Sequence, residues 1–237
     1  MKLRRLAVFF VAALTACGAE DVGITGFEPT QPTGRIRFVH AIFDSPSASR
    51  INVTVDGVPL GVNLAYGAAA PGSFYYPAYV GERQFAVRRT ADTSVHLLDT
   101  PVAVAQNTDH TVIALSAAAV EALVLSDDNT APGAGNIKVR AVNAAPAAGN
   151  VDVYITAQGA SIATIPPTSA NLAPRTASSY FERPAGAFQV RFTTAGTKTV
   201  VRDVSVSAVS AGGIRTIVLL NAVTGGTPLT SAVLTDR

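Results

Sequence analysis

The feature that most constrains this chain is that it says nearly everything twice. "INVTV" (51–55) returns as "VDVYI" (151–155) at an offset of 100 residues, "FAVR" (85–88) as "FQVR" (188–191) at 103, "TVIAL" (111–115) as "TIVLL" (216–220) at 105, and "VLSD" (124–127) as "VLTD" (233–236) at 109. "RIRFVHA" (35–41) lies on "NIKVRAVNA" (136–144) in either of two registers: Ile36 on Ile137, or Val39 and His40 on Val142 and Asn143 at 103. The offset drifts only across stretches rich in Gly, Pro, Ser and Asn, as loop insertions do. A period of about 100 residues is far longer than a solenoid repeat, so the chain carries a duplicated domain.

Within each copy apolar residues alternate with polar ones. Ile51, Val53 and Val55 take one face while Asn52, Thr54 and Asp56 take the other, and Val151, Val153 and Ile155 repeat this against Asp152, Tyr154 and Thr156. Period-two alternation marks half-buried strands. Such runs recur about every 10 residues between turn signals such as Asp56-Gly57, Pro184-Ala185-Gly186 and Ala211-Gly212-Gly213. A helical period is sustained only ambiguously, from Ser116 to Leu125. About seven short strands per copy predict an all-β chain of two tandem antiparallel, immunoglobulin-like β-sandwiches. The expected division is a leader (1–16), a tether (17–34), a first sandwich (35–126), a linker (127–135) and a second sandwich (136–237). With a full strand set in each copy, the two sandwiches are expected to fold independently.

The N-terminus has the three parts of a secretion signal: Lys2, Arg4 and Arg5, an apolar run from Leu6 to Ala13, and small residues before the only cysteine, Cys17. The run is too short to span a bilayer, which takes about 20 apolar residues. "Leu14-Thr15-Ala16-Cys17" resembles the bacterial lipobox, which implies cleavage between Ala16 and Cys17 and a diacylglyceryl group on the thiol. A lone thiol in an oxidising compartment is then an attachment point rather than half of a disulfide. The protein is expected to be exported and anchored to the membrane by its N-terminal lipid. In a Gram-negative host Gly18, standing where an aspartate would signal inner-membrane retention, points to the outer membrane, on its periplasmic or surface face.

Of 18 basic residues three sit in the leader, which leaves 15 against 16 acidic ones. A nearly neutral chain without a Lys/Arg run does not bind nucleic acid by phosphate neutralisation. His40, His96 and His110 fall at no ligand-like spacing, so neither metal nor cofactor is expected. His40 is read as structural, because its counterpart is Asn143 and what these side chains share is hydrogen bonding to backbone. There is no Gly-x-Ser-x-Gly elbow and no Ser-x-x-Lys, and the chain is expected not to be an enzyme.

One segment departs from this bland chemistry. "GSFYYPAY" (72–79) gathers four of the sixteen aromatic residues, and an alternating strand cannot turn all of them inward. Phe74, Tyr76 and Tyr79 are therefore the candidate binding residues. The competing reading is that these rings pack in the core or against the second copy.

"IRFVHAIFDSP", "VDVYI" and "YFERPAGAFQVRF" together resemble the domain-of-unknown-function 4397 family, whose repeats open with a strand running into a His-Ala-Ser-Pro-Asp-Ala-Pro-like turn. The first copy keeps His40, Ala41, Asp44 and Pro46 with "IF" inserted; the second has Asn143 and a shorter turn. The resemblance implies a bacterial envelope protein of sandwich domains and brings no known activity. The function expected is a non-enzymatic envelope lipoprotein with a structural or interaction role. Two alternatives stand beside it: a glycan- or peptide-binding surface module, and an envelope polysaccharide hydrolase. Replacing Cys17 by Ala is expected to block processing and remove the diacylglyceryl mass from the N-terminus; mass spectrometry finding an unmodified Cys17 at the N-terminus of the native protein would contradict this.

Overall fold

The computed structural model describes residues 31–43, 50–72, 74–116 and 119–237, and it places strands where alternation predicts them. The leader, Ala16, Cys17, Asp44 and Pro46 lie outside the described residues. The first copy supplies β1 (Thr33–Ala41), β2 (Ile51–Val55), β3 (Val58–Leu64), β4 (Ala69–Ala70), β5 (Tyr76–Tyr79), β6 (Gly81–Arg89), β7 (His96–Val104), β8 (Asp109–Ser116) and β9 (Val120–Asp127). The second repeats them one for one: β10 (Asn136–Ala144), β11 (Val151–Thr156), β12 (Ser169–Leu172), β13 (Thr176–Ala177), β14 (Phe181–Pro184), β15 (Gly186–Thr194), β16 (Val200–Val209), β17 (Ile214–Leu220) and β18 (Thr230–Thr235). Each copy is a sandwich. One sheet is ordered β3-β2-β6-β7 and the other β4-β1-β8-β9 with β5 also on β1; their counterparts are β12-β11-β15-β16 and β13-β10-β17-β18 with β14 on β10.

Nine strands form where about seven are expected, and one of the additional ones arises because the partner of β1 is broken in two. β4 pairs with Phe38 and Val39, β5 with Thr33 to Ile36, and Gly72 at φ 80° turns the chain between them. Asp56 (φ 50°) and Gly57 (φ 79°) make the two-residue turn that joins β2 to β3. Where the helical period is ambiguous, the described residues are strand: Ser116 closes β8, and β9 opens at Val120 and runs through Leu125. β1 begins at Thr33, inside the segment read as tether, and β9 ends on Asp127, the first residue of the segment read as linker.

The expectation of purely antiparallel sheets is corrected. β1 runs parallel to β8, from Arg35 opposite Asp109 to Ala41 opposite Leu115, and β10 runs parallel to β17. Alternation assigns residues to faces and is silent on strand direction, and the chain between β1 and β8 supplies the long crossover that a parallel pair requires.

Each sandwich has its own core: Phe38, Val53, Phe85, Val87 and Val112 in the first, and Val139, Val153, Phe188, Phe192 and Ile217 in the second. A third apolar cluster belongs to both. Val39, Ile113, Leu115 and Leu125 pack there with Val142, Val218, Leu220 and Leu234. Val112 to Leu115 are buried consecutively, as in a strand covered on both faces. The two sandwiches thus share an apolar interface, and Pro32–Arg237 forms one compact unit.

Candidate functional site

The outer face of the sheet that carries β1 is built in rows across β5, β1, β8 and β9. Cross-strand partners share a face, so Arg35 stands beside Pro77 and Asp109, and Asp109 beside Asp127. One row along, Arg37 stands beside Thr111, and Thr111 beside Leu125. Val39 and Ile113 continue the face into the shared apolar cluster. The face thus has an apolar end, covered by the other sandwich, and a polar end at its margin.

Where the two ends meet, buried charges cross from one sandwich to the other. Arg37 reaches Asp236 (2.6 Å) in the second copy, and Arg140 reaches Asp127 (2.5 Å) in the first. Arg37 also donates to Thr111 Oγ1 (2.9 Å) and the Thr235 carbonyl (3.0 Å); Arg140 donates to Thr216 Oγ1 (3.2 Å) and the Ser126 carbonyl (3.1 Å). Thr111 donates in turn to Asp127 and Thr216 to Asp236. Tyr75 covers the Arg37 guanidinium at 4.5 Å and Tyr180 covers that of Arg140 at 4.6 Å. Every member has its counterpart in the other copy, so the cluster is a pseudo-twofold clasp, the arrangement of an isologous dimer interface drawn into one chain.

Burial pushes the Asp236 carboxyl above its ordinary value, against the opposing pull of Arg37 and of the Thr216 hydroxyl. A carboxyl raised in the folded state contributes stability in full below its unfolded pKa and loses it as the pH climbs through the raised value. The ionised pair is thus held against a desolvation cost, and its role is to select how the two faces meet. Burial likewise pushes the phenols of Tyr75 and Tyr180 well up, so both remain neutral.

The aromatic segment divides on this frame. Tyr76 points into the first sandwich and packs on its core, and Tyr75 belongs to the clasp, where its hydroxyl donates to Asp127 (2.8 Å). Phe74 and Tyr79 are 75% and 55% exposed. The three candidate residues are therefore not brought together, and two of them are at the surface. His40 is buried; its Nδ1 accepts from the Ile42 N–H (3.2 Å) and its ring meets Tyr66 edge-on. Asn143 Oδ1 accepts equivalently from the Ala145 N–H (3.2 Å), and its amide donates to the carbonyls of Gly149 and Leu172.

Sequence reasoning passed over a cleft at the polar margin of this face, on the strand β1 that also pairs with Tyr79. Arg35, Asn107, Thr108, Asp109 and the segment 126–130 line a volume of about 340 Å³. Arg35 grips Asp109 through Nε (2.7 Å) and Nη2 (2.5 Å), and Asn129 donates to the same carboxylate (2.6 Å). Gly34 makes this close approach attainable, since a Cβ there would collide with Ala105 O and Val104 Cγ1. The turn then hydrogen-bonds directly to β1, Arg35 N–H to the Thr108 carbonyl (2.8 Å) and Asn107 N–H to the Thr33 carbonyl (3.0 Å). The available signal was the pair Arg35 and Asp109, legible only once β1 is known to lie parallel to β8. Among the described residues no group of three His, Cys, Asp or Glu side chains is placed to hold a metal ion.

Residues 34–154 match the family described as "Domain of unknown function (DUF4397)", a span that takes in the first sandwich and runs through β10 into β11. No curated protein matches the chain. Solved structures similar to it include one described as "Alpha-glucan binding by a streptococcal virulence factor" (13% identity, 78% of this chain and 92% of that one, TM-score 0.25). The family CBM26 module CBMbc of Eubacterium rectale Amy13K, in complex with maltoheptaose, is 10% identical over 84% of this chain and 95% of its own, with a TM-score of 0.24. A leucine-rich repeat protein from Bacteroides thetaiotaomicron is 14% identical over 78% of this chain and 25% of its own, with a TM-score of 0.19. Likenesses at these TM-scores bear on neither the topology nor the ligand.

Removing one member of the clasp strands its buried partner, so Arg37→Met is expected to cost about 3–5 kcal/mol in urea unfolding, while Arg37→Met with Asp236→Leu recovers most of that loss. A double variant no more stable than the single one would contradict the clasp as described.

Proposed function

The chain belongs to the DUF4397 family, and on that footing we propose that it is a non-enzymatic cell-envelope lipoprotein whose two fused sandwiches form a binding head. The lipid on Cys17 anchors it, and the segment that follows the cysteine carries the head away from the membrane. The clasp supports this reading because it holds both copies in one fixed relation, as presentation of a surface requires.

The observation that carries the proposal is a difference between the copies at equivalent positions. β5 on β1 and β14 on β10 share one register, with Tyr76 opposite Ile36 and Phe181 opposite Val139. On that register the exposed Phe74 and Tyr79 correspond to Ser179 and Pro184, while Tyr75 and Tyr180 are both retained in the clasp. The structural ring is common to both copies, and the exposed rings belong to the first alone. Aromatic side chains are enriched at protein interfaces, where burial by a partner makes some of them anchors.

Phe74→Ala with Tyr79→Ala is expected to leave stability within about 0.5 kcal/mol and to lower retention on envelope extracts by roughly 30-fold or more, the loss of about 2 kcal/mol or more that such anchors supply. Tyr76→Ala is expected to do the reverse, costing about 2 kcal/mol of stability with retention unchanged in the folded fraction. Full retention by the double variant would overturn the proposal.

A further inference from the structure

We infer that the cleft lined by Arg35, Asp109 and Asn129 takes a neutral, hydroxyl-rich ligand, a glycan without charged substituents; this deepens the binding-head reading and rests on it. The inference starts from charge. Each ionised group at the cleft already has its counter-ion: Arg35 is paired with Asp109, Asp128 with Lys138 (2.7 Å), and Asp127 with Arg140. The Lys138 ammonium and the Thr130 hydroxyl hold the Asp128 carboxyl down at about 2, so this compensation persists through the physiological range. An anionic or cationic ligand would have to displace a protein partner to be neutralised here.

Hydrogen-bonding capacity remains after these pairings. Arg35 is half-exposed and spends Nε and Nη2 on Asp109, which leaves Nη1 as a donor. Asn129, whose amide N–H donates to Asp109, also lines the cleft. The groups are preorganised, because Tyr75 stacks on Arg35 at 5.5 Å and the turn at Asn107 is hydrogen-bonded to β1. Vicinal hydroxyls, each both donor and acceptor, suit a planar, charge-compensated array of this kind.

An exposed ring lies one strand over from the cleft, on the same face. Tyr79 is the cross-strand partner of Thr33, and Thr33 lines the cleft's continuation with Gly34 and Arg35, a further volume of about 290 Å³. Both volumes fall near the lower end of the roughly 300–1,000 Å³ of small-ligand clefts, a size for one or two sugar rings rather than a folded partner. A pyranose presents an apolar C–H face and a rim of hydroxyls, which matches an exposed ring beside a hydrogen-bonding cleft.

The same row in the second copy has lost this chemistry. Pro77, Arg35 and Asp109 correspond to Glu182, Lys138 and Ile214, and Tyr79 to Pro184. Ring and array are present together in the first copy and absent together from the second, as two parts of one site would be.

The test is titration calorimetry of the full mature chain against a panel of neutral glucose, galactose and N-acetylglucosamine oligosaccharides, with polygalacturonate and chitosan oligomers as charged probes. Binding of at least one neutral oligosaccharide is expected, unchanged between 50 and 500 mM salt and weakened about 10-fold or more by Tyr79→Ala, by Arg35→Met and by Asn129→Ala. Asn129→Ala leaves the Arg35–Asp109 pair intact and so keeps the test valid should Arg35→Met fail to fold. Salt-sensitive binding of a charged probe alone, or a silent panel, overturns the inference. If Phe74→Ala with Tyr79→Ala abolishes envelope retention while Arg35→Met and Asn129→Ala do not, the ligand class is wrong and the binding head stands; if the ring variant also retains envelope material, both fall.

Discussion

The structure depends on a crossed pair of buried ion pairs, Arg37 with Asp236 and Arg140 with Asp127. Two sandwiches with apolar outer faces could slide or rotate against each other at little cost, because the hydrophobic effect is not directional. Buried guanidinium–carboxylate pairs remove that freedom, since any other docking leaves charges desolvated and unpaired. The raised Asp236 pKa agrees with this division of labour, in which apolar burial supplies the affinity and the charges supply the register.

The clasp also governs what the molecule shows to solvent. Tyr75 is drawn down over Arg37 and hydrogen-bonded to Asp127, and this fixes the chain on either side of it. With Tyr75 committed to the interface and Tyr76 to the core, Phe74 and Tyr79 are left at the surface. A ring that serves structure therefore sits beside rings that serve none. The second copy shows the arrangement without the surplus: Tyr180 over Arg140, with Ser179 and Pro184 on either side.

Much of this was legible in the sequence, and the misses have physical causes. The strands β2 and β11, the turns at Asp56-Gly57 and Pro184-Gly186, and the one-for-one correspondence of the copies follow from alternation and offset. The clasp was hidden in the same repeats: "VLSD" and "VLTD" end on its two carboxylates, and its two arginines occupy equivalent strand positions. Alternation alone gives Arg37 and Asp127 to the solvent face of a half-buried strand. They are buried because the other copy covers that face, a fact of tertiary packing with no local signature. The parallel pairing of β1 with β8 escaped for a related reason, and with it the row that brings Arg35 to Asp109.

That the two sandwiches form one body is the claim on which the rest turns, and differential scanning calorimetry of the mature chain tests it most directly. A shared core and a buried clasp predict a single transition whose calorimetric and van't Hoff enthalpies agree, with a heat-capacity change of about 2.5–3 kcal/mol/K for some 200 ordered residues unfolding together. Two resolved transitions, each with about half of that heat-capacity change, would contradict it.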